Sequence, residues 1–66
     1  MAWYLEIYDI HGELVSAQDD ATFEIAMDAA RACRSGAFGH IRFRGPDAAT
    51  AEQLAGLEEL GARRTA

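Results

Sequence analysis

The sequence predicts an α+β fold. The expected architecture is a two-layer sandwich in the order β-β-α-β-α, with a three-stranded antiparallel sheet of order 2-1-3 and both helices on one face. Three observations carry this. Residues 2–8 alternate, with Trp3, Leu5 and Ile7 on one side and Tyr4, Glu6 and Tyr8 on the other, the period of a strand with one apolar face. Residues 37–44 return to alternation. Between and after these stretches, residues 21–34 and 50–60 carry apolar residues at helical spacing.

Taken in order, the first strand runs into Asp9-Ile10-His11-Gly12. Asp at the first position and Gly at the fourth suit a type I turn followed by a left-handed residue. The expected hairpin register pairs Tyr8 with Leu14, Ile7 with Val15 and Glu6 with Ser16, so that Val15 joins the apolar face. Asp19 and Asp20 are the N-cap candidates for the first helix, where their charge suits the positive end of the dipole. Phe23, Ala26, Met27, Ala30 and Cys33 form its main apolar row, and Ile25, Ala29 and Ala32 a second beside it. A face that wide suggests a helix touching two elements. Gly36 supplies the stop.

In the third strand Ile41 and Phe43 point one way, and His40, Arg42 and Arg44 the other. Phe38 is out of phase, so Gly39 marks a bulge or the true strand start. Gly45-Pro46 ends the strand, because proline cannot donate to the ladder. Thr50 and Gln53 have the spacing of a capping box. Leu54, Leu57 and Leu60 make the apolar stripe of the second helix, Gly61 closes it, and residues 63–66 are expected to fray. Placing the third strand beside the first puts the most strongly patterned segment at the centre. The alternative, beside the second strand and parallel to it, leaves residues 2–8 at an edge and ranks lower.

Length and composition bound the rest. The 66 residues, 50% hydrophobic, make one folded domain spanning 1–66. A core this small rarely supplies more than roughly 3–5 kcal/mol, and the single Cys33 excludes an internal disulfide, so self-association is a natural way to gain burial. No targeting segment is visible, which makes the cytoplasm the expected location. Every basic side chain is Arg, a bias expected of a GC-rich bacterial genome, and the absence of Lys excludes Schiff-base chemistry. The net charge of −5 is uneven: residues 1–28 hold seven acids and no Arg, whereas the remainder holds six Arg against four acids. Such a protein is a poor candidate for duplex DNA, where phosphate neutralisation supplies most of the affinity.

The uncovered sheet face is the candidate site. It is expected to carry Tyr4, Tyr8, Leu14, His40, Arg42 and Arg44, together with Glu6 and Ser16. Aromatics and Arg are enriched in protein interfaces, and the same mixture suits stacking of single-stranded bases. The plainer alternative is a solvated face on which Arg42 or Arg44 neutralises Glu6 across strands. Catalysis finds no support, because a nucleophile needs a base in reach and Cys33 belongs to the buried side of a helix. His11, His40 and Cys33 lack metal-ligand spacing, no glycine pattern cradles a phosphate, and no cofactor is expected. The expected function is a non-enzymatic interaction module that self-associates or binds a protein partner through the open face. The alternative is single-stranded nucleic-acid binding on Tyr4, Tyr8, Arg42 and Arg44.

Overall fold

A computed structural model describes residues 2–65. The elements are β1 (Trp3–Tyr8), β2 (Leu14–Ala21), α1 (Phe23–Arg34), β3 (His40–Arg44), α2 (Ala51–Glu59) and β4 (Arg63–Arg64). They form an α+β arrangement with an open, mixed sheet of order β2-β1-β3-β4. β1 is antiparallel to both of its neighbours, β2 and β3, and is flanked on both sides as its alternation predicts.

Each turn follows from local chemistry. Asp9 organises the hairpin: its Oδ1 accepts from the backbone N–H groups of His11 and Glu13, and its carbonyl accepts from Gly12. Gly12 adopts φ +82°, a conformation that costs a β-carbon-bearing residue energy. Thr22 caps α1 by accepting from Ile25 N–H at 3.1 Å, and Thr50 and Gln53 close the capping box of α2 reciprocally. Arg34, in the last turn of α1, donates to the Glu59 carbonyl at 3.2 Å and ties the ends of the two helices together. Gly39 explains the abrupt start of β3. Its N–H donates to the Tyr8 carbonyl at 2.8 Å, and a β-carbon there would fall 1.9 Å from the Asp9 carbonyl oxygen. The strand therefore begins immediately after it, and Phe38 stays outside.

The core lies between the sheet and the helices. Leu5, Ile41, Phe43 and Leu57 are its largest fully buried side chains. Trp3 packs against Phe23 and Phe43, with ring centroids 5.3 and 6.2 Å away. Where α1 approaches the sheet its buried residues are Ala26 and Ala30, small enough to let the helix sit close. Cys33 is half-buried against this cluster rather than sealed within it, and Ile25 of the expected second row is 45% exposed.

Four expectations need correction. The sheet has a fourth strand: Arg63–Arg64 runs parallel to β3, pairing Arg42 with Arg63 and Phe43 with Arg64, so the sheet is not wholly antiparallel. The segment expected to fray is directed there by the close of α2, where Ala62 N–H donates to the Leu57 carbonyl and buries the alanine. Thr65 N–H then donates to the Phe43 carbonyl at 2.8 Å; Ala66 lies outside the described residues. Second, Asp19 and Asp20 belong to β2, and the cap is Thr22, because the strand extends to meet Trp3 at Ala21. Third, the register breaks between Ile7 and Tyr8. Tyr8 faces Leu14, but Ile7 faces Ser16 and Glu6 faces Ala17. Val15 is the extra residue of a bulge and is 58% exposed instead of buried. Fourth, Ser16 consequently leaves the open face and Ala17 replaces it.

These assignments separate two substitutions. Leu5→Ala should cost about 2–5 kcal/mol, comparable with the stability a core this small supplies. Val15→Ala should stay within about 0.5 kcal/mol, as exposed positions do. Chemical denaturation of both variants is the check, and equal losses would mean that the hairpin lacks its bulge.

Candidate sheet-face interface

Side chains directly opposite one another in register share a face, so the pairing places the open side residue by residue. Tyr4, Glu6 and Tyr8 of β1 lie beside Arg44, Arg42 and His40 of β3. On the β2 side Leu14 stands opposite Tyr8 and Ala17 opposite Glu6. On the far side Arg63 of β4 adjoins Arg42. Tyr4, Tyr8, Leu14, His40, Arg42 and Arg44, all singled out from the sequence, therefore come together on one face. Arg63 is an addition. The two-residue strand that carries it left no periodic signal in the sequence.

Glu6 sits at the centre and organises its neighbours. Its Oε2 accepts from the Tyr4 hydroxyl at 2.6 Å and its Oε1 from the Tyr8 hydroxyl at 2.8 Å. Three successive side chains on one face of a strand thus form a single hydrogen-bonded unit, which requires the period of two. The donated hydroxyl of Tyr4, then that of Tyr8, hold the Glu6 carboxyl below the usual glutamate range, and the Arg42 charge adds to the effect. The same bond to Glu6 raises the Tyr4 hydroxyl above the usual phenol value.

The two tyrosine rings are also engaged sideways. His40 stacks on Tyr8 with centroids 4.4 Å apart and planes 5° from parallel. The Arg44 guanidinium lies 5.3 Å from the centroid of the Tyr4 ring. Arg42 is directly opposite Glu6, yet the carboxylate oxygens accept from the tyrosines, and the cross-strand ion pair of the plainer alternative does not form.

The six arginines divide cleanly. Arg31 pairs with Asp28 at 3.0 Å, Arg64 with Glu58 at 2.8 Å, and Arg34 bonds the Glu59 carbonyl. Arg42, Arg44 and Arg63 make no salt bridge with another described residue, and all three occupy the open face. The β2 margin is opposite in sign. Trp3 pairs with Ala21 and Leu5 with Gln18, which leaves Asp19 and Asp20 sharing the place opposite Tyr4. At the hairpin end of the face Leu14 is 55% exposed, and Ile10 in the adjoining turn is 78% exposed.

The remaining reactive side chains are dispersed. His11 is exposed at the hairpin tip, His40 lies on the open face, and Cys33 is half-buried against the core on the other side of the sheet. Among the described residues no three His, Cys, Asp or Glu side chains are grouped as metal ligands, and no helix is long and apolar enough to cross a membrane. A shallow groove of about 320 Å³ along α1 is lined by Phe23, Glu24, Met27, Asp28 and Arg31. Its cation is already held by Asp28.

The Tyr4–Glu6–Tyr8 unit has a pH signature. Because the folded state depresses the Glu6 pKa, the associated stability is present above the ordinary glutamate value and is lost as pH falls through the folded-state value. Tyr4→Phe removes the largest cause, so the Glu6 carboxyl should titrate at higher pH in that variant when followed by carbon-13 NMR. An unchanged Glu6 titration would show that the hydroxyl contact is absent in solution.

Comparison of the chain with models of protein families, with curated proteins and with solved structures found no match in any of the three.

Proposed function

We propose that this chain is a non-enzymatic interaction module, acting in the bacterial cytoplasm, that binds a protein through its open sheet face. The observation that carries the reading is the partition of its arginines. In a chain of net charge −5, three arginines with no acidic partner share one face with two half-buried tyrosines and an exposed leucine. Arg and Tyr at such positions are the residues that dominate interface energetics. Tyr4 and Tyr8 are held in place by Glu6 before any partner arrives, so little rotamer freedom remains to be lost on binding.

Single-stranded nucleic acid is the second reading, and the Arg-aromatic combination favours it. Two features weigh against it. The Tyr8 ring is stacked on His40, with Arg44 over Tyr4, so the platform already uses π-faces that bases would need. A carboxylate at its centre, kept ionised by its hydrogen bonds, also repels a phosphodiester.

The test is a photocrosslinking amino acid at Leu14, on the face, and at Glu52, exposed on α2. Illuminated in bacterial cells expressing the chain, the Leu14 variant should form covalent protein adducts that the Glu52 variant does not. Ribonuclease-sensitive adducts would transfer the face to the second reading. Loss of specificity for Leu14, or no adduct there, would remove the interface assignment altogether.

A further inference from the structure

The open face is polarised across its width, and this identifies its occupant. Asp19 and Asp20 lie along β2, at one lateral margin, while Arg42, Arg44 and Arg63 lie along β3 and β4, at the other. We propose that the partner is a second copy of this chain, packed sheet on sheet about a two-fold axis parallel to the strands. The proposal rests on the interface reading above and adds to it the identity of the partner and the symmetry of the contact.

The symmetry follows from the strand order. A two-fold axis running between the two sheets, parallel to their strands and between β1 and β3, reverses the lateral order and keeps the level along each strand. With the order β2-β1-β3-β4, β1 of one copy then lies over β3 of the other, and β2 over β4. Residues opposite in register within one copy become opposite across the interface. Glu6 meets the partner's Arg42, Tyr4 meets the partner's Arg44, and Tyr8 meets the partner's His40. Asp19 and Asp20 come within the span of the partner's Arg44 and Arg63, one strand or one pleat away. Every arginine left without an acid in the isolated chain thereby gains one, and does so twice, as an isologous contact requires. A face of uniform sign would repel its own copy in this arrangement; a laterally divided one attracts it.

Edge pairing through β2 competes less well. That strand carries two register breaks, and Asp19-Asp20 sits at its end, features that blunt an edge against strand addition. The other edge, β4, is only two residues long.

Charge reversal tests the pairing. In the first variant Asp19→Arg and Asp20→Arg make both lateral margins of the face basic; in the second Arg44→Glu and Arg63→Glu make both acidic, and each leaves Arg42 beside Glu6 undisturbed. Light scattering should give twice the chain mass for the wild type, the single chain mass for each variant alone, and the doubled mass again for their equimolar mixture. Wild-type melting should rise with concentration, because association favours the folded chain, whereas that of each variant should not. Circular dichroism checks that both variants fold. If one does not, Asp20→Arg with Arg44→Glu as single substitutions give the same test by mixing. A wild type that stays monomeric overturns the second copy as partner, and a Leu14 adduct of another mass would then leave the interface reading standing. Dimers that survive both reversals, or variants that fail to restore a dimer on mixing, overturn this geometry.

Discussion

Two short helices have enough apolar surface to cover one face of a small sheet and no more. The rest of the structure depends on that limit. On the covered side α1 must lie close, and it meets the sheet with Ala26 and Ala30 while Trp3, Leu5, Ile41 and Phe43 supply the bulk. On the other side the same sheet must present side chains compatible with water until something covers them. Tyr4 and Tyr8 meet this demand with hydroxyls bonded to Glu6, so that their polar ends are satisfied and their rings remain as apolar surface.

The hydrogen-bonded unit on β1 also shapes the electrostatics. By accepting two tyrosine hydroxyls, Glu6 is satisfied without Arg42, and the guanidinium opposite it remains unpaired. The helices treat their arginines differently. Arg31 and Arg34 lie in the last turn of α1, where a cation complements the helix dipole and reaches nearby acceptors. Exposed pairs of that kind contribute little to stability, typically about 0.2–1 kcal/mol. Their consequence here is to leave the available positive charge on the sheet.

Stability and recognition are linked by size. The chain keeps Leu14 exposed on the open face and Ile10 exposed in the turn beside it, although a core this small has few apolar groups to spare. Covering that surface with a partner would give the fold additional burial by the same hydrophobic term that holds the helices down. Such coupling makes binding and folding respond to the same substitutions, which is why the charge pattern, lying outside the core, is the more selective handle on recognition.

Local chemistry was enough to read most of the elements. The period of two in β1 and β3, the Asp9–Gly12 turn, the capping box of α2 and the six residues of the open face all follow from neighbours within a few positions. What the sequence left open needed a partner strand to decide. Asp19 and Asp20 are good caps in isolation, but so is Thr22, and only the pairing of Ala21 with Trp3 extends β2 past them. The bulge at Val15 has no signature of its own, because the regular register would place Val15 opposite Ile7 and keep the apolar alternation, whereas the observed pairing puts Ser16 there. Arg63 and Arg64 read as a polar tail, since two residues carry too little pattern to mark a strand. Their place is set by the buried Ala62 at the close of α2 and by the free edge of β3, contacts between segments some twenty residues apart along the chain. Residue types and their local periods thus determined the elements and their faces, while long-range pairing decided the register, the fourth strand and the separation of charge across the sheet.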